Sequence, residues 1–341
     1  MKNSAIYYST NQNRIKLLYI YGIVFLAFSA VLGIMLGSTL LSPGEIWQAF
    51  SNGAHFSAGT RILAYVRFPR TLGSVVCGAA LAVSGAVIQN IFANRLASPG
   101  IIGVNSGAGL AVTVCAAFGL YGGFALSVFA FAGAFAAVMT VSFASYKWGA
   151  SRSTVILIGV ALNSLLGALS DAVITFIPEV GVMTNDFKVG EFSAVTFQNL
   201  IPASVLMLAA FAMLVILTNE LDVLTLGEEN ARALGMNTAL MRTLFLLLAA
   251  ILAGCAVSIA GLLSFVGLIV PNTVKRFSGG SSLHTIGLCA LFGGGFVCLC
   301  DTLARTVFTP YEIPVGIIMA FLGALFFVFI LIKGKGGHAG D

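Results

Sequence analysis

Long apolar runs alternate with short polar segments along most of the 341 residues. The runs cover about 17–41, 67–92, 100–118, 124–146, 154–177, 200–217, 240–260, 262–274, 283–306 and 313–332. A helix needs about 20 apolar residues to cross a bilayer, and all but the run at 262–274 approach or exceed that length. The pattern predicts an all-α, polytopic membrane protein of ten transmembrane helices, in a single domain over residues 1–341. Ser42 and Pro43 stop the first helix, a break at 93–99 separates the second from the third, and 119–123 turns the chain before the fourth. The first run is longer than the roughly 7–15-residue core of a signal peptide and lacks a clear small-x-small cleavage site. It is expected to remain as a membrane helix, with 1–16 as a polar segment before it. An even number of spans puts both chain ends on one side.

One interruption differs from the others. Residues 218–237, TNELDVLTLGEENARALGMN, hold Glu220, Asp222, Glu228 and Glu229, four of the twelve acids. Thr225 and Glu228 have the spacing of a capping box. Glu228 and Glu229 would then sit in a first helical turn, where the dipole favours negative charge. Glu228 and Arg232 are four apart and can pair on one face. Gly235 suits a C-terminal cap. The spacing predicts one short helix over about 226–234, too short and too polar to lie in a bilayer.

Composition agrees with the pattern. Hydrophobic residues make up 59% and charged residues 9% of the chain, against about 25% charged in soluble domains. Thirty-nine glycines suit close helix packing. The net charge of +5 is accounted for by bases at membrane edges, so nucleic acid is not needed to explain it. With the N-terminus inside, Lys2, Arg14, Lys16, Arg95, Lys147, Arg152, Arg232, Arg242, Lys275, Arg276, Lys333 and Lys335 are cytoplasmic. Arg61, Arg67, Arg70, Lys188 and Arg305 are outside. That asymmetry predicts cytoplasmic N- and C-termini and a cytoplasmic 218–237. A weak inverted repeat is also visible. Arg70-Thr-Leu precedes Ala82-Val-Ser, and Arg242-Thr-Leu precedes Ala256-Val-Ser, in helices of opposite direction. Such repeats are a transporter architecture.

Candidate chemistry is sparse. The chain has no G-x-x-x-x-G-K-[ST] loop and no H-E-x-x-H, and the six cysteines lie inside apolar runs without zinc-ligand spacing. No catalytic residue, metal site or cofactor is expected, so uphill transport would draw on an ion gradient or on a partner that hydrolyses ATP. A proton relay has only Asp171 and Asp301 to use, and Asp301 stands four residues from Arg305, where a local bridge is the simpler reading. Arg67 and Arg70 depart from the charge rule at the outer end of the second helix, and Arg305 joins them. Two readings stand side by side: snorkelling to headgroups, or a basic docking surface for an acidic partner.

At these residues the chain resembles the FecCD family of ABC importer permeases. The resemblance rests on Arg67-Phe-Pro-Arg70, Gly78-Ala-Ala-Leu-Ala-Val-Ser-Gly85 with Gln89, and Ala97-Ser-Pro-Gly-Ile-Ile-Gly-Val-Asn-Ser-Gly-Ala108. It continues through Leu224-Thr-Leu-Gly-Glu-Glu-Asn-Ala-Arg-Ala-Leu-Gly235, Phe265-Val-Gly-Leu-Ile-Val-Pro271, Asp301-Thr-Leu-Ala-Arg305 and Glu312-Ile-Pro-Val-Gly316. It implies a second permease, identical or related, two cytoplasmic ATP-binding subunits and an extracytoplasmic substrate-binding protein, assembled in a bacterial cytoplasmic membrane. It implies an ATPase contact at Leu221, Thr225, Leu226, Gly227, Glu228, Glu229, Ala231, Arg232, Leu234 and Gly235. It implies that Arg67, Arg70 and Arg305 meet acids of the binding protein. The expected cargo is an iron–siderophore complex, with haem and cobalamin as alternatives and an ion-driven carrier as the remaining one. The chain departs from the family pattern at Arg95, Asn272, Lys275, Phe187 and the 279–282 loop, which puts secondary ATPase contacts near 275–282 in doubt.

Overall fold

The computed structural model describes residues 2–37, 58–120, 123–147, 151–278 and 281–335. Glu45, Trp47 and His55, in the amphipathic outer loop that the sequence predicts after the first helix, and the tail from 336 lie outside the described residues. Helix α1 (Lys2–Met35) begins well before its apolar run, because residues 2–16 contain no Gly or Pro to interrupt it. A short helix α2 (Ala58–Ile62) and a π-helical turn (Leu63–Arg67) lead into α3 (Phe68–Phe92). A 3-10 turn (Pro99–Ile102) leads into α4 (Val104–Ala117), followed by α5 (Gly123–Lys147) and α6 (Arg152–Phe176). Two short helices, α7 (Pro178–Met183) and α8 (Asn185–Val189), precede α9 (Phe197–Ile216). The polar stretch holds α10 (Thr218–Thr225) and α11 (Glu228–Ala233). Then come α12 (Thr238–Ala260), α13 (Val266–Lys275), α14 (Ser282–Thr306) and α15 (Val315–Lys335).

Each predicted apolar run carries a helix within its described residues, and no strand occurs among them. Among the described residues, seven helical stretches are long and apolar enough to cross a membrane, against the ten predicted spans, so the chain is a multi-pass membrane protein. The bundle is built around α3 and α12. Some 78% of the apolar window at Leu63–Phe92 and 72% of that at Thr238–Ala260 is buried, against 17% in α1 and α6. The central pair is antiparallel: Cys77 Sγ donates to the Ala256 carbonyl at 3.7 Å and Ser84 Oγ to the Ala249 carbonyl at 2.8 Å. These are the two helices of the weak repeat, and the likeness extends past them. Each is followed by a break, a residue in the left-handed region (Gly103 at φ +100°, Phe265 at φ +65°) and a shorter helix.

Two glycines let α3 meet its neighbours backbone to backbone. A Cβ on Gly78 would lie 2.4 Å from the Gly293 carbonyl oxygen of α14, and one on Gly85 would lie 2.0 Å from that of Gly267 in α13. No side chain fits at either point. Without a hydrophobic force between helices in lipid, this close approach is what holds them.

The stretch at 178–199, between two predicted spans and read as external from the placing of Lys188, holds α7, α8 and a strap stitched into the body. Leu262 N donates to the Phe187 carbonyl at 2.9 Å, Glu191 N to Ala260 at 2.9 Å, and Gly316 N to Gly190 at 3.1 Å. Buried backbone groups need partners, and Pro178 at the first helical position helps start α7.

Candidate functional site

Three features stand out at three depths. The first is a cavity of about 620 Å³ where the two helix breaks meet. Ser98 and Gly100 from the first break and Ser264 and Phe265 from the second line it, with Asn105 and Asn163. Asn163 of α6 donates to the Gly100 and Ile101 carbonyls at 2.9 and 3.0 Å and also bonds to Ser106. These bonds satisfy backbone groups that the break leaves without helical partners, the condition under which irregular backbone is tolerated at membrane depth. The lining includes no charged residue and no His, Cys, Met or Tyr. Phe265 holds a bulky side chain at positive φ, which costs on the order of 1–3 kcal/mol, and its ring packs where Gly323 of α15 leaves room. Beside the cavity, α6 buries only Val155, Gly159 and Ser170. Asn163, Ser164 and Asp171 lie on this sparsely buried helix, with Ser164 and Asp171 exposed.

The second feature is the polar stretch. The predicted single helix capped by Thr225 is not formed. Thr225 ends α10 and turns its hydroxyl back to the Asp222 carbonyl at 2.7 Å. The chain then kinks through Leu226 and Gly227, whose N–H groups bond Val223 and Leu224. The residue before α11 is Gly227 at φ +103°, with no side-chain cap. The predicted C-terminal stop does occur. Gly235 takes φ +83°, its N–H reaches Arg232 at 2.9 Å, and Met236 N reaches Ala231 at 3.1 Å, the paired bonds of a Schellman motif.

Burial divides the stretch. Leu221, Leu224 and Ala231 face inward. Leu226 at the kink, Asn230 in α11 and Leu234 at its end are all exposed, the two leucines at 58% and 67%, and together give the stretch an outward stripe. Thr225, Glu229, Arg232 and Gly235 are exposed, whereas Gly227 and Glu228 are half-buried. The Glu228–Arg232 pair exists at 3.5 Å, but Glu228 has a closer partner in Arg242 of α12 at 2.9 Å. Sequence reasoning could not find that bridge, because 14 residues separate the two and only the tertiary turn joins them. It also missed Asp222 and Arg152. Asp222 Oδ1 accepts from Ser282 N at 2.9 Å, supplying from another segment the N-terminal cap that Ser281 does not provide to α14. Arg152, at the start of α6, donates to the Leu224 carbonyl at 3.0 Å. The stretch is thus tied to α12, α14 and α6. Nearby, the departures at 272 and 275 face inward: Asn272 donates to the Arg95 carbonyl at 2.9 Å and Lys275 to Gln89 Oε1 at 3.2 Å.

The third feature is a charge cluster at the opposite end. Arg67, Arg70 and Arg305 do come together, but not on an open surface: they are 2%, 5% and 2% exposed. Asp301 is fully buried between two of them, 3.0 Å from Arg70 and 3.1 Å from Arg305. Arg70 also holds Glu312 at 2.6 Å. Arg67 donates to the Ile34 and Met35 carbonyls and Arg305 to that of Gly33, so the cluster closes the end of α1 as well. A guanidinium inside a membrane protein finds carboxylates and free helix-end carbonyls rather than lipid. The Asp301–Arg305 bridge at i,i+4 was legible in the sequence, while the reach of Arg70 across 231 residues was not.

The model of the FecCD transport family matches residues 25–333. The ABC transporter permease YvrB of Bacillus subtilis (strain 168), itself uncharacterised, is 35% identical over 94% of this chain and 95% of its own length. The hemin transport system permease HmuU of Yersinia pestis is 33% identical over 93% of this chain and 96% of its own. Among solved structures, an inward-facing transporter assigned to the metal-chelate ABC type superposes with a TM-score of 0.81, at 29% identity, over 93% of this chain and 99% of that one.

Proposed function

The chain belongs to the FecCD transport family, and we propose that it carries an iron–siderophore complex across the bacterial cytoplasmic membrane. Membership makes it an ABC importer permease of the metal-chelate type, a transport subunit that works with ATPase partners and a second permease. The observation that carries the finer reading is the cavity at the two helix breaks. Its polar groups are uncharged amides, hydroxyls and backbone, suited to hydrogen-bonding a hydrophilic chelate. It offers no side chain that would take iron from its ligand, so the complex would pass intact. Leu81, Ile101, Val160, Leu263 and Phe327 make the rest of the lining apolar, room for the carbon frame of a chelate whose polar atoms meet the amides and hydroxyls.

The second permease, identical or related, would cover the sparsely buried face of α6 and complete the path. An exposed Asp171 is costly against lipid but not against a partner or a wet path. Two cytoplasmic ATPases would grip the outward stripe of 225–235, with Leu226 and Leu234 as apolar anchors. That puts both chain ends in the cytoplasm and the arginine cluster outside. There an extracytoplasmic binding protein would offer carboxylates. Arg70 has donors for more than one carboxylate, and its partner Glu312 is a third exposed, so an incoming acid has a route to it. The test is uptake by the reconstituted complex with a panel of ferric hydroxamates, ferric catecholates, ferric citrate, hemin and cobalamin. A ferric siderophore is expected to give ATP-dependent uptake at the lowest concentration. Preferential uptake of hemin or cobalamin overturns the siderophore reading while leaving the importer assignment in place.

A further inference from the structure

The outer wall of the bundle carries a feature apart from the helix-break cavity. Helices α1, α13 and α14 leave an apolar crevice of about 410 Å³ between them. Leu18, Tyr21 and Phe25 line it on α1, facing Ile269 and Thr273 of α13 and Phe292 of α14. A second crevice of about 430 Å³ shares Tyr21, Phe25 and Phe292 and prolongs the first to Phe28. Residues 18 to 28 of a helix span about 15 Å at 1.5 Å per residue. That is half of the roughly 30 Å hydrocarbon core, so the groove has the depth of one leaflet.

One end of the groove is basic. Tyr19 meets His284 edge-on near the start of α14, the end that Asp222 caps, so the mouth lies on the side of the 218–237 stretch. There both walls end in an arginine. Arg14 precedes Leu18, Tyr21 and Phe25 at helical spacing on one stripe of α1, and Arg276 follows Ile269 and Thr273 on one stripe of α13. Both arginines are exposed, and neither forms an ion pair among the described residues. Residues 2–35 and 266–300 contain no Asp or Glu. Asp222, which reaches this end from the polar stretch, is taken up in capping α14.

We propose that this groove holds one anionic phospholipid of the adjoining leaflet, with an acyl chain along residues 18–28 and its phosphate between Arg14 and Arg276. An apolar trough of leaflet depth that ends in two guanidiniums matches such a lipid at both ends. A second permease is disfavoured here, because Gly267 and Leu268 turn a different face of α13 toward the helix-break cavity. The proposal requires that the chain spans a bilayer, and its exclusion of a second permease rests on the proposed seat of that partner over α6.

The full-length permease, delipidated in detergent, is titrated with phosphatidylglycerol and with phosphatidylcholine of the same acyl chains, and bound lipid is counted by native mass spectrometry. Phosphatidylglycerol is expected to bind more tightly. Arg14→Gln and Arg276→Gln should each weaken it by roughly fivefold, and together by on the order of 25-fold, with little effect on phosphatidylcholine. Thr273→Phe, which fills the trough, should reduce binding of both lipids. Lys147→Gln, a basic residue on α5 away from the groove, should change nothing. Free glycerol 3-phosphate should not compete, which separates a lipid site from a phosphate site. Equal affinity for the two lipids, or undiminished phosphatidylglycerol binding by the double variant, overturns the proposal. So does a disulfide between Tyr21→Cys side chains of two permeases in the assembled complex.

Discussion

Asp301→Ala would show what the arginine cluster is for. Asp301 is fully buried, and its carboxylate is held by Nε and Nη2 of Arg70 at 3.1 and 3.0 Å and by Nε of Arg305 at 3.1 Å. Removing it leaves two guanidiniums, 5% and 2% exposed, facing each other across a small hole. Arg70 keeps Glu312 at 2.6 Å, and Arg305 keeps the Gly33 carbonyl at 3.1 Å. Those contacts soften the loss without neutralising the second charge. Breaking a buried pair from one side costs about 3–5 kcal/mol. At about 2–4 °C per kcal/mol for a chain of this order of size, the melting temperature of the purified permease should fall by on the order of 10 °C. Asp301→Asn, which keeps one acceptor and loses the charge, should fall between the two. Pairing Asp301→Ala with Arg305→Met removes a stranded charge as well as its partner and should restore part of the loss, a non-additive result in a double-mutant cycle. Additive effects, or an Asp301→Ala melting point within about 3 °C of the parent, would refute the view that the cluster fastens α1, α3 and α14 together.

Further outcomes follow from the same contacts. Asp222→Ala and Ser282→Pro should each lower uptake per ATP hydrolysed, and the double variant should be no worse than Ser282→Pro, which removes the shared bond and also the hydroxyl that accepts from Asn90 at 3.2 Å. Ser282 is the first residue of α14 and Ser281 is extended at ψ 132°, so proline fits there; additive losses would mean that the bond does not link the two segments. Leu226→Asp with Leu234→Asp should leave the permease folded but release the ATPase subunits in a pull-down, and full retention would remove the stripe as their contact. Gly85→Val should abolish folded permease, since a side chain there meets the Gly267 carbonyl at 2.0 Å; normal yield after membrane extraction would contradict the packing. Reversing Arg70 or Arg305 to Glu is a poor docking test, because it buries acid beside Asp301. Arg67→Gln is milder and should weaken capture of the binding protein by several-fold if that face docks it.

The helices were legible in the sequence because a bilayer imposes a length and an apolar character on whatever crosses it, and both are properties of the linear chain. The i,i+4 pairs Asp301–Arg305 and Glu228–Arg232 and the Gly235 stop were legible for the same reason: helical spacing and backbone chirality act locally. The inverted repeat could be glimpsed in the matching Arg-Thr-Leu starts, yet its meaning, two antiparallel central helices each followed by a break, needed the fold. What lay beyond the sequence was every partner chosen at long range. Thr225 could accept from the N–H groups at the start of α11 or donate back to a carbonyl of α10, and the kink at 226–227 left it donating to Asp222. Arg70, Arg67 and Arg305 read as outward bases because a sequence shows that a residue stands near a membrane edge, not which side of its helix is covered. Burial of that side by α1, α14 and Glu312 decided the matter, since a guanidinium withdrawn from water must find its acceptors inside the protein.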